Sequence, residues 1–236
     1  MIFFLLISNQ AFCQKSFLSD FFKDFTIYLS GNYISSATIQ LNPYSTDIIE
    51  RNITDEVNGG YGYGLSIKKK IISDNIYFSF STEYLRITDN SLSTVLENDT
   101  NFIPVHVTEN KKFVPVEFAL YFSLPQALDN LNIFLGGGAG IYFGDRSRRM
   151  VGYETITTSK TATVNILVLF GMEYMMDKHI SLLLEMRVRQ GEFKVSNHFP
   201  VDNVTLEGVN YQFQQDLNSK VFVDGLKLSL GIGYTF

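Results

Sequence analysis

The sequence predicts an all-β fold: an eight-stranded antiparallel up-and-down transmembrane β-barrel preceded by a short leader and a short helix. Three observations carry that expectation. Eight segments alternate large apolar residues with small or polar ones at a period of two, as strands do when their faces meet different surroundings. The links between segments are alternately short and long, which places every long link on one rim of a closed sheet. Aromatic residues, 14% of the chain and all Phe or Tyr, gather near both ends of the segments, where amphipathic rings sit at the two interfaces of a bilayer.

The chain opens with MIFFLLISNQAFC, residues 1–13. An apolar run from Ile2 to Ile7 gives way to polar residues and then to Ala11 and Cys13, which reads as an export signal cleaved before Gln14. The run is too short to cross a bilayer as a helix, which takes about 20 apolar residues, and no other stretch reaches that length. Residues 14–24 are expected to form a short periplasmic segment, in which Phe17 and Phe21, followed by Phe25, make one face of an amphipathic helix at the inner rim. Residues 25–236 are expected to form the barrel. Cys13 is the one cysteine, so a disulfide within the chain and a cysteine-based metal site are both excluded.

Strands are expected near 25–36, 58–69, 76–88, 111–123, 131–144, 160–174, 179–193 and 220–236. Each is long enough for the roughly 9–11 residues of a tilted membrane strand. One face of each is apolar. The second offers Tyr61, Tyr63, Leu65 and Ile67, the fourth Val114, Val116, Phe118, Leu120 and Phe122, and the last Leu226, Leu228, Leu230, Ile232, Tyr234 and Phe236. The opposite face carries glycine, hydroxyl and charge. "GGGAG" at 136–140 lacks the spacing of a phosphate loop and reads as small residues facing a crowded interior. The short links "IISDN", "LPQALDN" and "MMDKH" alternate with polar segments around 37–57, 89–110, 145–159 and 194–219, expected as long loops. Tyr33, Tyr61, Tyr63, Tyr84, Phe113, Phe143 and Phe222 make the band near the long loops. Phe25, Phe122, Tyr174, Tyr234 and Phe236 make the other. A soluble barrel of lipocalin type also alternates, with its apolar face inward. The asymmetry of the links, the two bands and the leader favour the membrane. A net charge of −5 leaves no electrostatic case for nucleic acid.

The leader, the eight amphipathic strands and the ending "LSLGIGYTF" together resemble the small bacterial outer-membrane barrels of the OmpA, OmpX and OmpW type, and among them the porin-like barrels common in Bacteroidota. The resemblance implies a Gram-negative outer membrane, long loops outside and both termini periplasmic. It also implies lipid and lipopolysaccharide as surroundings. Tyr234 and Phe236, in the aromatic-x-Phe ending, become the signal read by the barrel-assembly machinery. No peptidoglycan-binding domain is expected after Phe236.

Four constellations bear on chemistry. Glu83, Glu117, Glu173 and Glu185 share the inward parity with Lys68, Arg187, Arg189 and Lys227. An eight-stranded interior is just wide enough for side chains to fill, and unpaired charge buried there is costly, so these eight should form an ion-pair network. "DRSRRM" places Arg146, Arg148 and Arg149 just beyond the outer leaflet, where they are expected to meet lipopolysaccharide head groups. His179, Ser181 and Glu185 resemble the His-x-Ser and Glu of outer-membrane lipid A deacylases. Their inward parity and short-turn rim argue against that chemistry, and no catalytic residue, metal or cofactor is expected. Asp47, Glu50, Asp55, Glu56, Asp89, Glu97, Asp99 and Glu109 are expected as solvated loop charge, since "ENDTN" lacks the glycine and closing glutamate of a calcium loop. The function expected is that of a non-enzymatic structural or interaction barrel closed by its side chains. The alternatives are a narrow conduit of OmpW type and, more weakly, an accessory barrel of an envelope machine such as type IX secretion.

Overall fold

The computed structural model describes residues 25–71, 75–98, 101–125 and 128–236. The expected signal peptide and the segment 14–24 lie outside the described residues. Among the described residues thirteen strands follow one another: β1 (Phe25–Gln40), β2 (Thr54–Lys70), β3 (Ile76–Glu97), β4 (Phe102–Ser123), β5 (Leu131–Met150), β6 (Tyr153–Glu154), β7 (Ile156–Thr161), β8 (Thr163–Met175), β9 (Ile180–His198), β10 (Asn203–Leu206), β11 (Val209–Gln212), β12 (Asp216–Val223) and β13 (Leu226–Thr235). One four-residue helix, α1 (Ile48–Arg51), lies between β1 and β2, with the Asp47 side chain accepting from the Ile49 amide.

The strands make a ring of eight staves. β1 through β5 pair in order, β5 pairs with β8, and β9 pairs with β7 and β8. β9 also pairs with β12 and β13, which return to β1. Every pairing is antiparallel, and the ring has no free edge, so backbone donors and acceptors are satisfied without water. β7 with β8, and β12 with β13, are single staves bent at Ala162 and at Asp224–Gly225. At the first bend the Asn165 side chain stands in for the ladder, accepting from Glu192 N at 3.0 Å. At the second, Ser35 Oγ accepts from Leu226 N at 3.0 Å.

The direction of the faces separates a membrane barrel from a lipocalin. Leu29, Leu65, Val164, Ile166, Val168, Leu230 and Ile232 all stand exposed on the outer wall. Lys68, Glu83, Glu117, Glu173, Glu185, Arg187, Arg189 and Lys227 are buried inside. A continuous apolar outer wall is far larger than the apolar patches soluble monomers tolerate. Tyr33 stacks against Tyr61 at 5.1 Å and Tyr63 against Tyr84 at 5.7 Å, building the upper aromatic band across three staves. Phe113 departs from that expectation. It is 1% exposed and points inward, because it shares the parity of Lys111 and Glu117 and not that of Val114.

The long links are the second departure. Instead of four polar loops, the staves themselves run on: β3 and β4 continue to Glu97 and Phe102, β5 to Met150 and β9 to His198. Apart from a register shift between Asp89 and Leu92, the two-residue alternation persists there, with apolar and charged groups inward and mostly hydroxyls, amides and charges outward. Between β9 and β12 a hairpin of β10 and β11 turns at Glu207–Gly208, both at positive φ, and pairs Gln212 with Glu97 at the top of β3.

Candidate functional site

The interior is the site with the most chemistry, and its side chains come in layers. At the short-turn end, Tyr28, Tyr121, Phe134, Leu167, Leu169 and Leu183 pack together around one ion pair. Lys68 Nζ lies 3.1 Å from Glu173 Oε2 and 4.4 Å from the centroid of the Phe134 ring, and Tyr28 donates its hydroxyl to Glu173.

Above it sits a charge layer built by β3, β4, β9 and β13. Glu117 pairs with Arg187, and its Oε1 lies 3.0 Å from Arg189 Nε. Arg187 Nη2 meets Glu185 at 2.5 Å. Glu83 pairs with Arg189, as an ion pair without a directed hydrogen bond at Oε1, and with Lys227. Neutral donors complete the carboxylates: Tyr142 OH to Glu117 at 2.6 Å, Tyr121 OH to Glu185 at 2.9 Å and Asn32 Nδ2 to Glu83 at 2.8 Å. Three carboxylates face three cations here, and Lys68 faces Glu173 below, so charge balances in each layer. The geometry brings all eight residues singled out from the sequence into two ionic groups. The space left among them is small: a void of about 20 Å³ beside Glu83, Glu117 and Arg187, and one of about 10 Å³ beside Tyr28, Lys68 and Phe134. The larger holds about one water.

Next comes an apolar layer, formed by Ile34, Ile39, Val57, Leu85, Ile87, Phe113, Tyr142, Phe193, Val195, Val221 and Val223. Glycine makes it possible. A Cβ on Gly144 would sit 2.2 Å from the Phe193 ring, and one on Gly191 would sit 2.4 Å from the Tyr142 ring, so each aromatic fills the seat its glycine leaves.

A second ionic layer follows, and sequence reasoning missed it. Arg146 forms a fork on Glu109, at 3.0 Å from Nε and 2.7 Å from Nη2. Arg148 also bonds Glu109 and lies 3.7 Å from Asp55. Burial alone would raise the Glu109 carboxyl, but the two guanidiniums hold it below the usual carboxylate range. Lys111 is fully buried beside them with no hydrogen-bond partner among the described residues, and burial pushes its ammonium down to about 7. The expectation that Arg146 and Arg148 contact lipopolysaccharide is therefore corrected: they point into the barrel, because β5 continues as a strand past Gly144 and keeps its parity. Arg149 points outward and pairs with Glu154 at 2.5 Å. Glu109 and Asp89, expected as solvated loop charge, are buried as well, Asp89 accepting from the Ser91 amide at 2.8 Å. The signal was present in the inward series Val107, Glu109, Lys111, Phe113 on β4, which continues the alternation past the expected strand end. A final apolar layer of Leu96, Val107, Met150, Phe199, Val204, Tyr211, Phe213 and Leu217 lies under the β10–β11 hairpin.

His179, Ser181 and Glu185 do not assemble. His179 Nδ1 bonds the Thr235 carbonyl at 2.9 Å and its ring stacks on Tyr234, whereas Glu185 is held by Arg187 and Tyr121. Tyr234 and Phe236 stand outward with their rings 5.0 Å apart, and the Phe236 amide donates to Phe25 O at 3.0 Å, where the last stave meets the first.

No family model and no curated protein matches the chain. Among solved structures, the outer membrane protein OprG from Pseudomonas aeruginosa is similar over 91% of this chain and 96% of its own, at 13% identity and a TM-score of 0.58. Neisserial surface protein A aligns over 91% of this chain and 98% of its own, at 11% identity and a TM-score of 0.49. At such identities the likeness concerns the path of the backbone. With a closed antiparallel ring, an apolar outer wall and an ionic interior, the chain has the fold of the small outer-membrane β-barrels.

Proposed function

We propose that this chain is a non-enzymatic barrel of the bacterial outer membrane, closed to solutes, whose tall extension presents a rigid surface outside the cell. The observation that carries the proposal is the layered interior. Three ionic groups alternate with apolar clusters from rim to rim, the lowest being the Lys68–Glu173 pair held inside an apolar cluster, and the voids beside the lower two ionic groups are of about 20 and 10 Å³. A conduit needs a continuous wet path, and each apolar layer interrupts one. The OprG-like fold supports the outer-membrane placement. In this reading the short-turn rim, where Phe25 and Phe236 meet, faces the periplasm and the extension lies outside. In this placement Tyr234 and Phe236, lipid-facing on the closing stave, are the residues offered to the barrel-assembly machinery.

The test has two parts. The protein should fractionate with outer membranes and migrate differently on a gel when unboiled, and planar-bilayer recordings of the unmutated barrel should show no steady conductance. A stable open channel would replace this reading with the narrow conduit. A stoichiometric partner recovered from native membranes would instead point to an accessory role in an envelope machine.

A further inference from the structure

We propose that Arg86 and Lys112 form a binding site for a phosphate of an outer-leaflet lipid head group. The proposal rests on the outer-membrane placement above. The two residues are directly opposed across the β3–β4 ladder, and both are exposed on the outer face. Like charges opposed in this way destabilise a sheet unless something neutralises them. Among the described residues neither has a carboxylate partner, and the nearby acids are already engaged. Asp145, opposite Lys112 on β5, binds Lys160 at 2.8 Å and Thr157 at 2.9 Å. Glu154, which Lys112 also influences, is held first by Arg149. A second cross-strand cationic pair, half-buried Lys194 opposite half-buried Lys220, is neutralised in part, because Lys220 binds Glu192 at 2.5 Å.

Height selects the ligand. On β3 the outward side chains from Ile76 to Tyr84 are apolar or hydroxyl, and Arg86 is the first charge above them. On β4 the outward series from Phe122 up to Val114 is apolar, and Lys112 is the first charge. Ten residues separate Ile76 from Arg86, and ten separate Lys112 from Phe122. At ~3.4 Å per residue and a tilt of ~40° that spans about 25 Å, the height of the apolar band of an outer-membrane barrel. Arg86 and Lys112 therefore stand where the acyl region ends and phosphates begin. Directly beside and below them Tyr61, Tyr84, Val114 and Phe143 offer an apolar wall for the acyl chains of the same molecule. A guanidinium and an ammonium side by side over aromatic rings suit a phosphorylated lipid, which meets both the charge and the apolar surface in one molecule.

The test uses the full barrel refolded in phosphatidylcholine vesicles, with lipid A as the probe and melting followed by gel migration. Lipid A should raise the melting temperature of the unmutated protein. Arg86→Gln with Lys112→Gln should lose most of that rise and weaken lipid A binding by roughly thirtyfold, as two cations at a membrane surface imply. The charge-keeping exchange Arg86→Lys with Lys112→Arg should retain the rise, as should Lys194→Gln with Lys220→Gln. Dephosphorylated lipid A and inorganic phosphate should give none. An undiminished rise in the double glutamine variant would overturn the proposal, and an equal rise with inorganic phosphate would overturn the lipid source. If the unmutated protein fails to insert into the vesicles at all, the outer-membrane placement falls first and takes this site with it.

Discussion

The half of each stave below Arg86 and Lys112 and the half above them use the same alternation in opposite senses. Below, the outer face is apolar and the inner face holds Glu83, Glu117, Arg187, Arg189 and Lys227 in direct ion pairs. Above, the outer face is mostly polar, with Val95, Phe102 and Ile156 as apolar exceptions, and the inner face holds apolar clusters around Ile87 and Phe199, with one ionic group at Glu109 between them. The lower half is stable because lipid rewards its outside and ion pairs satisfy its inside. The upper half is a conventional water-soluble core, built on the same strands. The inner lining is thus free to be ionic or apolar, provided each layer is complete, while the outer face must match its solvent.

Removing one carboxylate below is the strongest way to break this comparison. Glu117→Ala leaves Arg187 and Arg189 facing each other with one fewer anion and should cost about 3–5 kcal/mol. Denaturant unfolding in vesicles would measure it, and bilayer recordings should show small, noisy openings. A loss below about 1 kcal/mol would mean that water already enters the layer.

Lys111 sharpens the comparison from above. Its folded pKa of about 7 lies below the ordinary lysine range, so between the two the unfolded chain binds the proton that the folded barrel has shed. Stability of the extension should therefore rise with pH from about 7 toward 10 and be lowest, with respect to this group, below 7. Lys111→Met should remove the slope and stabilise by about 1–3 kcal/mol at pH 6, read by hydrogen exchange at the strand tops. Glu109 acts in the opposite sense: its folded pKa is depressed, so its contribution is present above the ordinary glutamate range and is lost as pH falls through the folded value. A pH-independent extension would show that Lys111 is hydrated.

The ends of the chain test assembly of the lower half. Phe236→Ser should reduce the yield of folded barrel several-fold, and Thr235→Ala should not, because Phe236 faces lipid beside Tyr234 whereas Thr235 meets Thr26 across the closing seam at 2.9 Å. Equal yields from both variants would remove any special role for the aromatic. The smallest effect is expected at the tip. Val151, at φ 50 in the turn before Gly152, is a β-branched residue in a left-handed conformation. Val151→Asn should stabilise the β5–β6 turn by about 1 kcal/mol without changing the lower half, as measured by local hydrogen exchange.

Much of this was legible in the sequence because strand parity is local. Reading every second residue placed Glu117, Arg187 and Lys227 inside and Leu230 and Ile232 outside. The same rule, carried past residue 111 and past residue 144, would have placed Glu109, Arg146 and Arg148 inside as well. The outer face turns polar at these points, and polarity on one face together with charge on the other resembles a loop. Phe113 differs for a related reason: an aromatic near the rim has the composition of a girdle residue, but its parity turns it inward.

By itself the sequence determined which side of the wall most residues of the lower staves occupy, because a period of two and the solubility of a side chain are properties of single strands. Only the tertiary structure decided that Glu117 takes both Arg187 and Arg189, that Glu109 gathers Arg146 and Arg148, and that the β10–β11 hairpin reaches across to Glu97. Those partners come from strands tens of residues apart. Which of them meet depends on the register around the closed ring, and no single strand carries that information.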